Sequence, residues 1–255
     1  MKKKWFTVIM VFSAFVLCVS SAFSESGYQL TDDLKNELVY SYDESDGKYV
    51  YSYCYPQVIE TDECAAAINA FYQYEADYAA EFTGPTNADY YMSCGVDAFT
   101  DTTYEVVCNN DLYFSILLKK NEKSDSEEIT VYTGHTFSRT DSKPGSTVSL
   151  PSLLGILKSD ENDTWLQERQ TEKANQLIRE IMLEKLEAMI ASMPAGQAET
   201  RDISQVLEYA FWPEEDFYLN GDGDPVFFLE PGALVSESYG LITVAIPLED
   251  ILDEL

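Results

Sequence analysis

Basic residues are scarce in this sequence. Sixteen lysines and arginines stand against 45 aspartates and glutamates in 255 residues, a formal net charge of −29. A chain so poor in cations cannot supply the phosphate contacts of a nucleic-acid binder, nor lie on an anionic membrane through a basic face. Histidine is rarer still, and His135 is the single one. That excludes a His–His metal pair and the H-E-x-x-H zinc motif, and it forces any Ser–His–Asp triad through one imidazole. No G-x-S-x-G elbow offers the serine for it. After the N-terminal segment no apolar run is long enough to cross a bilayer. Apolar bulk is plentiful: 45% of residues are hydrophobic and 13% aromatic. The chain is therefore not disordered wholesale, and it has ample material for a core.

The N-terminus has the layout of a secretory signal. Lys2, Lys3 and Lys4 precede an uncharged stretch from Trp5 to Val19, followed by the small residues Ser20, Ser21 and Ala22. Basic start, apolar middle and small-residue end are the three parts a signal peptide needs. Cleavage after Ala22 or Ser24 is expected, giving a signal peptide over 1–24 and an exported mature chain in the periplasm, at the cell surface or outside the cell. The apolar stretch is shorter than the roughly 20 residues of a spanning helix and has no basic stop-transfer flank. No membrane insertion is expected after cleavage. Cys18 follows Leu17 rather than a small residue, which does not fit a lipidation site.

Loss of the leader leaves Cys54, Cys64, Cys94 and Cys108. An even number in an exported chain points to disulfides, with three pairings open. The local pattern favours Cys54–Cys64 and Cys94–Cys108. In the second, strands Tyr90–Phe99 and Tyr104–Cys108 would form a hairpin about Asp101 and close a loop of about 15 residues, worth roughly 3 kcal/mol. In the first, the bridge would pin the corner between a strand ending at Cys54 and a helix opening at Cys64. A zinc site would need close pairs such as C-x2-C, which are missing.

Periodicity supplies the elements. Residues 25–47 read as a polar, acidic leader with room for partial order. Tyr49–Tyr55 is a β-prone run stopped by Pro56, and a helix is expected from Asp62 to Phe82, ended by Gly84–Pro85. A β-rich middle follows, with strands at Tyr104–Cys108, Leu112–Lys119 and Ile129–Phe137. The longest helix is expected over Trp165–Met193, with Thr164 as N-cap and Gln167 as its capping-box partner. Phe217–Leu219 and Val226–Leu229 flank a hairpin turn, Leu241–Ile246 is another strand, and Pro247 opens a short terminal helix. The expected fold class is α+β: antiparallel sheet packed against two main helices, the long one preceding the C-terminal strands. Two parts, 48–157 and 158–255, meet near 157–163 and are expected to pack as one compact unit.

Candidate chemistry is thin. Asn220, Asp222 and Asp224 place oxygens at alternate positions, a weak calcium candidate. An EF-hand would next need glycine and then glutamate where Pro225 and Pro231 stand, so a hairpin turn is the competing reading. A carboxylate pair for glycan hydrolysis would be marked by separation and a raised pKa, which sequence does not display. Tyr49, Tyr51, Tyr53 and Tyr55 alternate on one strand face, with Tyr90 and Tyr91 further on. They are either sheet core or an exposed anchor for a basic protein or a glycan. The expected ligand surface comprises Tyr51, Tyr53, Tyr90, His135 and Tyr239. No cofactor is expected.

The C-terminal part carries a resemblance. Phe211–Trp212–Pro213, Phe217–Tyr218–Leu219, Gly223, Val226–Phe227–Phe228, Pro231, Tyr239–Gly240 and Val244–Leu248 resemble the closing region of the RsiV-like family of exported domains. There a long helix precedes an F-Y-L strand, a turn, a V-F-F strand and a Y-x-x-G stretch. Upstream, Tyr55–Val58, Ile68–Asn69, Tyr104–Val106 and Ser115–Ile116 are similar to the family's companion region, and Thr133–Gly134–His135 matches its Gly-Gly-Ala-His stretch in part. Family members include the extracytoplasmic portion of a lysozyme-sensing anti-sigma factor and an accessory region of some peptidoglycan deacetylases. The sensor members also carry a transmembrane helix and a cytoplasmic segment, which do not follow here. The resemblance implies a non-enzymatic exported domain that binds a basic protein such as lysozyme, or peptidoglycan. A carboxylate-based glycan hydrolase and a structural envelope protein are the alternatives.

Overall fold

The computed structural model describes residues 27–31, 34–40, 47–125, 127–140, 142, 144–156, 164–193 and 201–255. The expected signal peptide and the expected boundary at 157–163 lie outside them. Five strands form the main sheet: β1 (Leu34–Tyr40), β2 (Tyr49–Tyr55), β3 (Ala98–Asn109), β4 (Tyr113–Ser124) and β5 (Glu128–Ser138), in that spatial order. A smaller sheet follows the same rule of neighbours: β6 (Phe217–Leu219), β7 (Pro225–Leu229) and β8 (Ile242–Ala245). The helices are α1 (Glu63–Tyr78), α2 (Gly84–Ser93), α3 (Leu150–Leu153), α4 (Thr164–Ser192), α5 (Ile203–Tyr209) and α6 (Leu248–Leu252). The fold is α+β, with the long helix α4 ahead of the C-terminal strands.

Side-chain alternation decides how the layers stack. In β2, Tyr49, Tyr51, Tyr53 and Tyr55 all turn to one face and are buried. They meet Cys64, Ile68, Tyr72 and Ala76 of α1 and Met92 of α2, together with Phe114, Ile116, Leu118 and Phe137 from β4 and β5. The opposite face of the sheet receives β6. Ser115 Oγ accepts the Leu219 amide at 3.2 Å, and Gly134 has Phe217 so close that a Cβ there would overlap its carbonyl oxygen. Phe217, Leu219, Phe227 and Leu229 then pack on the α4 stripe Ala174–Ile178–Met182–Leu186. The order through the molecule is helices α1 and α2, large sheet, small sheet, α4.

A β-bulge between Val106 and Cys108 lets one strand serve both cores. Before it Tyr104 and Val106 lean on the helix side, and after it Cys108 belongs to the core of the small sheet. An extra residue in one strand switches the side chains that follow to the other face.

Four expectations need correction. The leader is not all leader: β1 pairs antiparallel with β2, and Tyr28 is buried, its amide and carbonyl both held by Asn109 at 2.7 and 2.8 Å. Helix does not stop at Gly84–Pro85. It passes through a π-turn, Ala79–Thr83, into α2, where proline falls in the first turn and its missing N–H costs nothing. Tyr90 and Tyr91 are therefore helical, and the polar stretch Thr100–Thr103 lies inside β3 rather than at a turn. Its β-branched residues suit a strand, and Thr100, buried, takes the Tyr49 hydroxyl at 2.7 Å. Finally, β2 and β3 run parallel, joined by the helices as a crossover.

None of Cys54, Cys64, Cys94 and Cys108 is in a disulfide. Cys54 lies on the face of β2 turned away from α1, while Cys64 in α1 donates to the Ser138 carbonyl of β5 at 3.3 Å. Three strand spacings, about 14 Å, separate β2 from β5. Cys94 ends α2, and Cys108 stands ten strand residues beyond Ala98, about 33 Å. The hairpin that would have joined them does not exist. Neither expected pair can meet at the roughly 6 Å a disulfide needs between Cα atoms.

Candidate functional site: an acidic aromatic helix face

The helix α1 starts where Asp62 caps it. The Asp62 carboxylate accepts the Ala65 amide at 2.8 Å and the Tyr28 hydroxyl at 2.9 Å. Backbone hydrogen bonding from Ala65 draws its pKa below the ordinary aspartate value. Its buried positions, Cys64, Ala65, Ile68, Tyr72 and Ala76, form one stripe at helical spacing. Tyr74 and Tyr78 sit two and six residues on from Tyr72, rotated by about 200° and 240° at 100° per residue. They face outward, and Phe82 in the π-turn continues their line.

The three rings are 65%, 50% and 55% exposed, respectively, far more than large aromatics in a core. Each touches the next: centroids lie 6.4 Å apart between Tyr74 and Tyr78, and 5.1 Å between Tyr78 and Phe82. The result is a continuous ladder of aromatic surface along one helix. Glu75, Asp77 and Glu81 stand between the rungs in sequence. No lysine or arginine occurs anywhere between Lys48 and Lys119, a span that includes α1, α2, the whole of β2 and β3, and β4 as far as Leu118. Exposed rings set in a field of one sign are equipped to bury against a partner whose surface is cationic, by apolar contact and by cation–π attraction.

The residues expected as a ligand surface divide. Tyr51 and Tyr53 are 5% and 7% exposed, so they belong to the core, and desolvation pushes the Tyr51 phenol up to about 12. Their alternation put all four tyrosines on the face the helices cover. His135 is half-buried, edge-on to Phe71 at 5.3 Å, with Tyr72 Oη 3.3 Å from Nδ1. Burial lowers its pKa to about 4, so the ring is neutral and packed. Tyr90 and Tyr239 are exposed, Tyr90 on α2 and Tyr239 on a single helical turn after β7. The ladder itself was missed by sequence reasoning, which took the helix to Phe82 without separating an exposed aromatic face from the buried one. Its signal was there: aromatics four apart at 74, 78 and 82, out of phase with 64, 68 and 72.

Asn220 and Asp224 spend side-chain oxygens on backbone amides. Asn220 Oδ1 accepts the amides of Asp222 and Asp224, both at 3.0 Å, and Asp224 Oδ1 accepts that of Leu248 at 2.9 Å. Asn220 and Asp224 thus tie the β6–β7 turn and the start of α6. Among the described residues no group of three or more His, Cys, Asp or Glu is arranged to hold a metal ion.

Two carboxylates are unusual. Desolvation raises Glu230 to about 7, helped by repulsion from Asp216, and raises Asp216 to about 6. Both are tied to backbone. Glu230 Oε1 accepts the Tyr132 amide at 2.8 Å and Asp216 Oδ2 that of Trp212 at 2.7 Å. Glu230 thus fastens the end of β7 to the edge of β5 across the layers.

No protein-family model matches the sequence, and no curated protein matches it. Among solved structures, the chain is similar to a member of the DUF3298 family from Bacteroides fragilis, with 13% identity and a TM-score of 0.53 over 89% of this chain and 94% of that one. A DUF3298 family protein from Pseudomonas aeruginosa is similar at 10% identity, covering 89% and 93% with a TM-score of 0.43. At 13% identity, what this chain shares with the Bacteroides protein is its fold.

Proposed function

We propose that this protein is an exported, non-enzymatic binding domain of the RsiV-like kind, and that its α1 face takes a basic protein, with lysozyme as the type of partner. The observation that carries the reading is the exposed ladder Tyr74–Tyr78–Phe82 on a stretch of chain without a single base. Solvent contact of three adjacent large rings is a cost a monomer does not need, and such rings are what interfaces bury at their centre. The acidic field steers a cationic partner and accelerates its association. The signal-like N-terminus and the C-terminal resemblance support the address and the kind. Asp216 and Glu230 have the raised pKa values a hydrolase would use, but each carboxylate is spent on a backbone amide, and we assign them no catalysis.

Isothermal titration with lysozyme tests the reading. Binding is expected at low salt and weakened at physiological salt. Tyr78→Ala, the middle rung, should cost about 2 kcal/mol, roughly 30-fold in Kd. Unchanged affinity in a Tyr74→Ala/Tyr78→Ala/Phe82→Ala variant would remove the helix face from the account.

A further inference from the structure

The edge of the large sheet formed by β5 has an unpaired stretch. In an antiparallel ladder, alternate residues of an edge strand turn both N–H and C=O outward. In β5 these are the even-numbered residues: Val148 donates to the Thr136 carbonyl at 2.8 Å, Ser138 donates to Ser146 at 2.9 Å, and Tyr132 donates to Glu230. At Ser138, Thr136 and Tyr132 the edge is thus closed by the chain itself. Continuing the same parity, Thr130 and Glu128 face outward, and here the structure opens into a groove of about 560 Å³. It runs between the strand and the loop bearing Pro231 and Glu237. Glu127, Glu128 and Glu237 line it, and Ile129 and Val131 are exposed on the adjoining strand surface.

We propose that this groove takes an extended, basic peptide segment of a partner protein, which adds as a sixth strand beside Glu128–Thr130. Main-chain hydrogen bonds to Thr130 and Glu128 supply the pairing, as the Ser146–Val148 backbone already supplies it to Thr136 and Ser138. Glu128 is already paired with Lys123 at 3.0 Å, so Glu127 and Glu237 are the glutamates that select lysine or arginine at the alternate positions facing them. A second copy of this chain is the poorer occupant, because edge-to-edge pairing would bring the same glutamates together from both sides. The site is separate from the aromatic ladder and does not depend on it.

The probe is a fluorescein-labelled peptide of alternating lysine and threonine, titrated by anisotropy against the whole protein at low ionic strength. Saturable binding is expected, weakening with salt. A peptide N-methylated at every second residue, on the side that donates to the sheet, should lose at least tenfold in affinity with the protein untouched. Thr130→Pro should lose as much. Its N–H is outside the β4–β5 ladder, where proline is tolerated, and an unchanged melting temperature will show that the fold survives. The Tyr74→Ala/Tyr78→Ala/Phe82→Ala variant should bind the peptide as the parent does. Equal affinity for the two peptides would overturn the proposal and leave only diffuse charge attraction. So would no binding, or a dimer in sedimentation that Thr130→Pro dissolves.

Discussion

His135 shows how a lone residue with several readings is resolved by its neighbours. Phe71 and Tyr72 surround the ring, and the cost of charging it there brings its pKa to about 4. The unfolded chain takes up a proton near the ordinary value of 6.5, so stability should fall as pH drops from 7 to 4 and level off below. The loss is on the order of 3 kcal/mol. Glu230 and Asp216 work in the opposite sense, since carboxyls raised to about 7 and 6 bind protons more tightly in the folded state. They add stability as pH falls through the same window. Comparing urea unfolding of the parent with His135→Leu isolates the imidazole: the difference between the two should shrink as pH rises from 4 to 7. A constant difference would contradict the burial argument. The cysteines make a second check. Cys54, Cys64, Cys94 and Cys108 should all titrate as thiols in denaturant, with exposed Cys94 reacting first in the native protein. Cys108, whose thiol burial pushes up to about 11, should wait for unfolding.

At the scale of elements, strong periodicity was legible and phase was not. The 29-residue helix α4 and the β6–β7 hairpin stand where sequence placed them, because a sustained 3.6-residue stripe and an Asn-Gly-Asp-Gly turn leave little choice. The Tyr90 region was misread because tyrosine favours strands, and Gly84–Pro85 was taken as a stop. A π-turn absorbed the proline instead, and tertiary contact with Tyr49, stacked on Tyr91 at 5.4 Å, settled the helix. The Cys94–Cys108 bridge fell with the hairpin expected about Asp101. Nothing local tells a sequence reader that a strand will be parallel, or that a bulge will pass Cys108 to the other core. The contact between the two sheets is equally silent in sequence. Gly134 lies against the Phe217 backbone, so Gly134→Ala must push β5 and β6 apart. A loss of about 3 kcal/mol is expected in denaturant unfolding, large for a single methyl.

For the whole molecule, the charge of −29 is uneven in a way the total conceals. The absence of bases from Val50 to Leu118 concentrates the acidic field on the helices and the strands beneath them. Of the described lysine ion pairs, Lys120–Glu122 and Lys123–Glu128 lie on β4 and β5, and Lys35–Glu37 on the edge strand β1. Association with a basic protein should therefore slow steeply as salt rises toward 0.15 M, where the Debye length is about 8 Å, while dissociation, set by the buried rings, changes little. Stopped-flow mixing separates the two. The measurement closest to the central claim is hydrogen–deuterium exchange of the protein with and without lysozyme. Added protection across residues 74–83 is the predicted result. Exchange there that lysozyme leaves unchanged, with lysozyme bound, would contradict the assignment of the helix face as the binding surface.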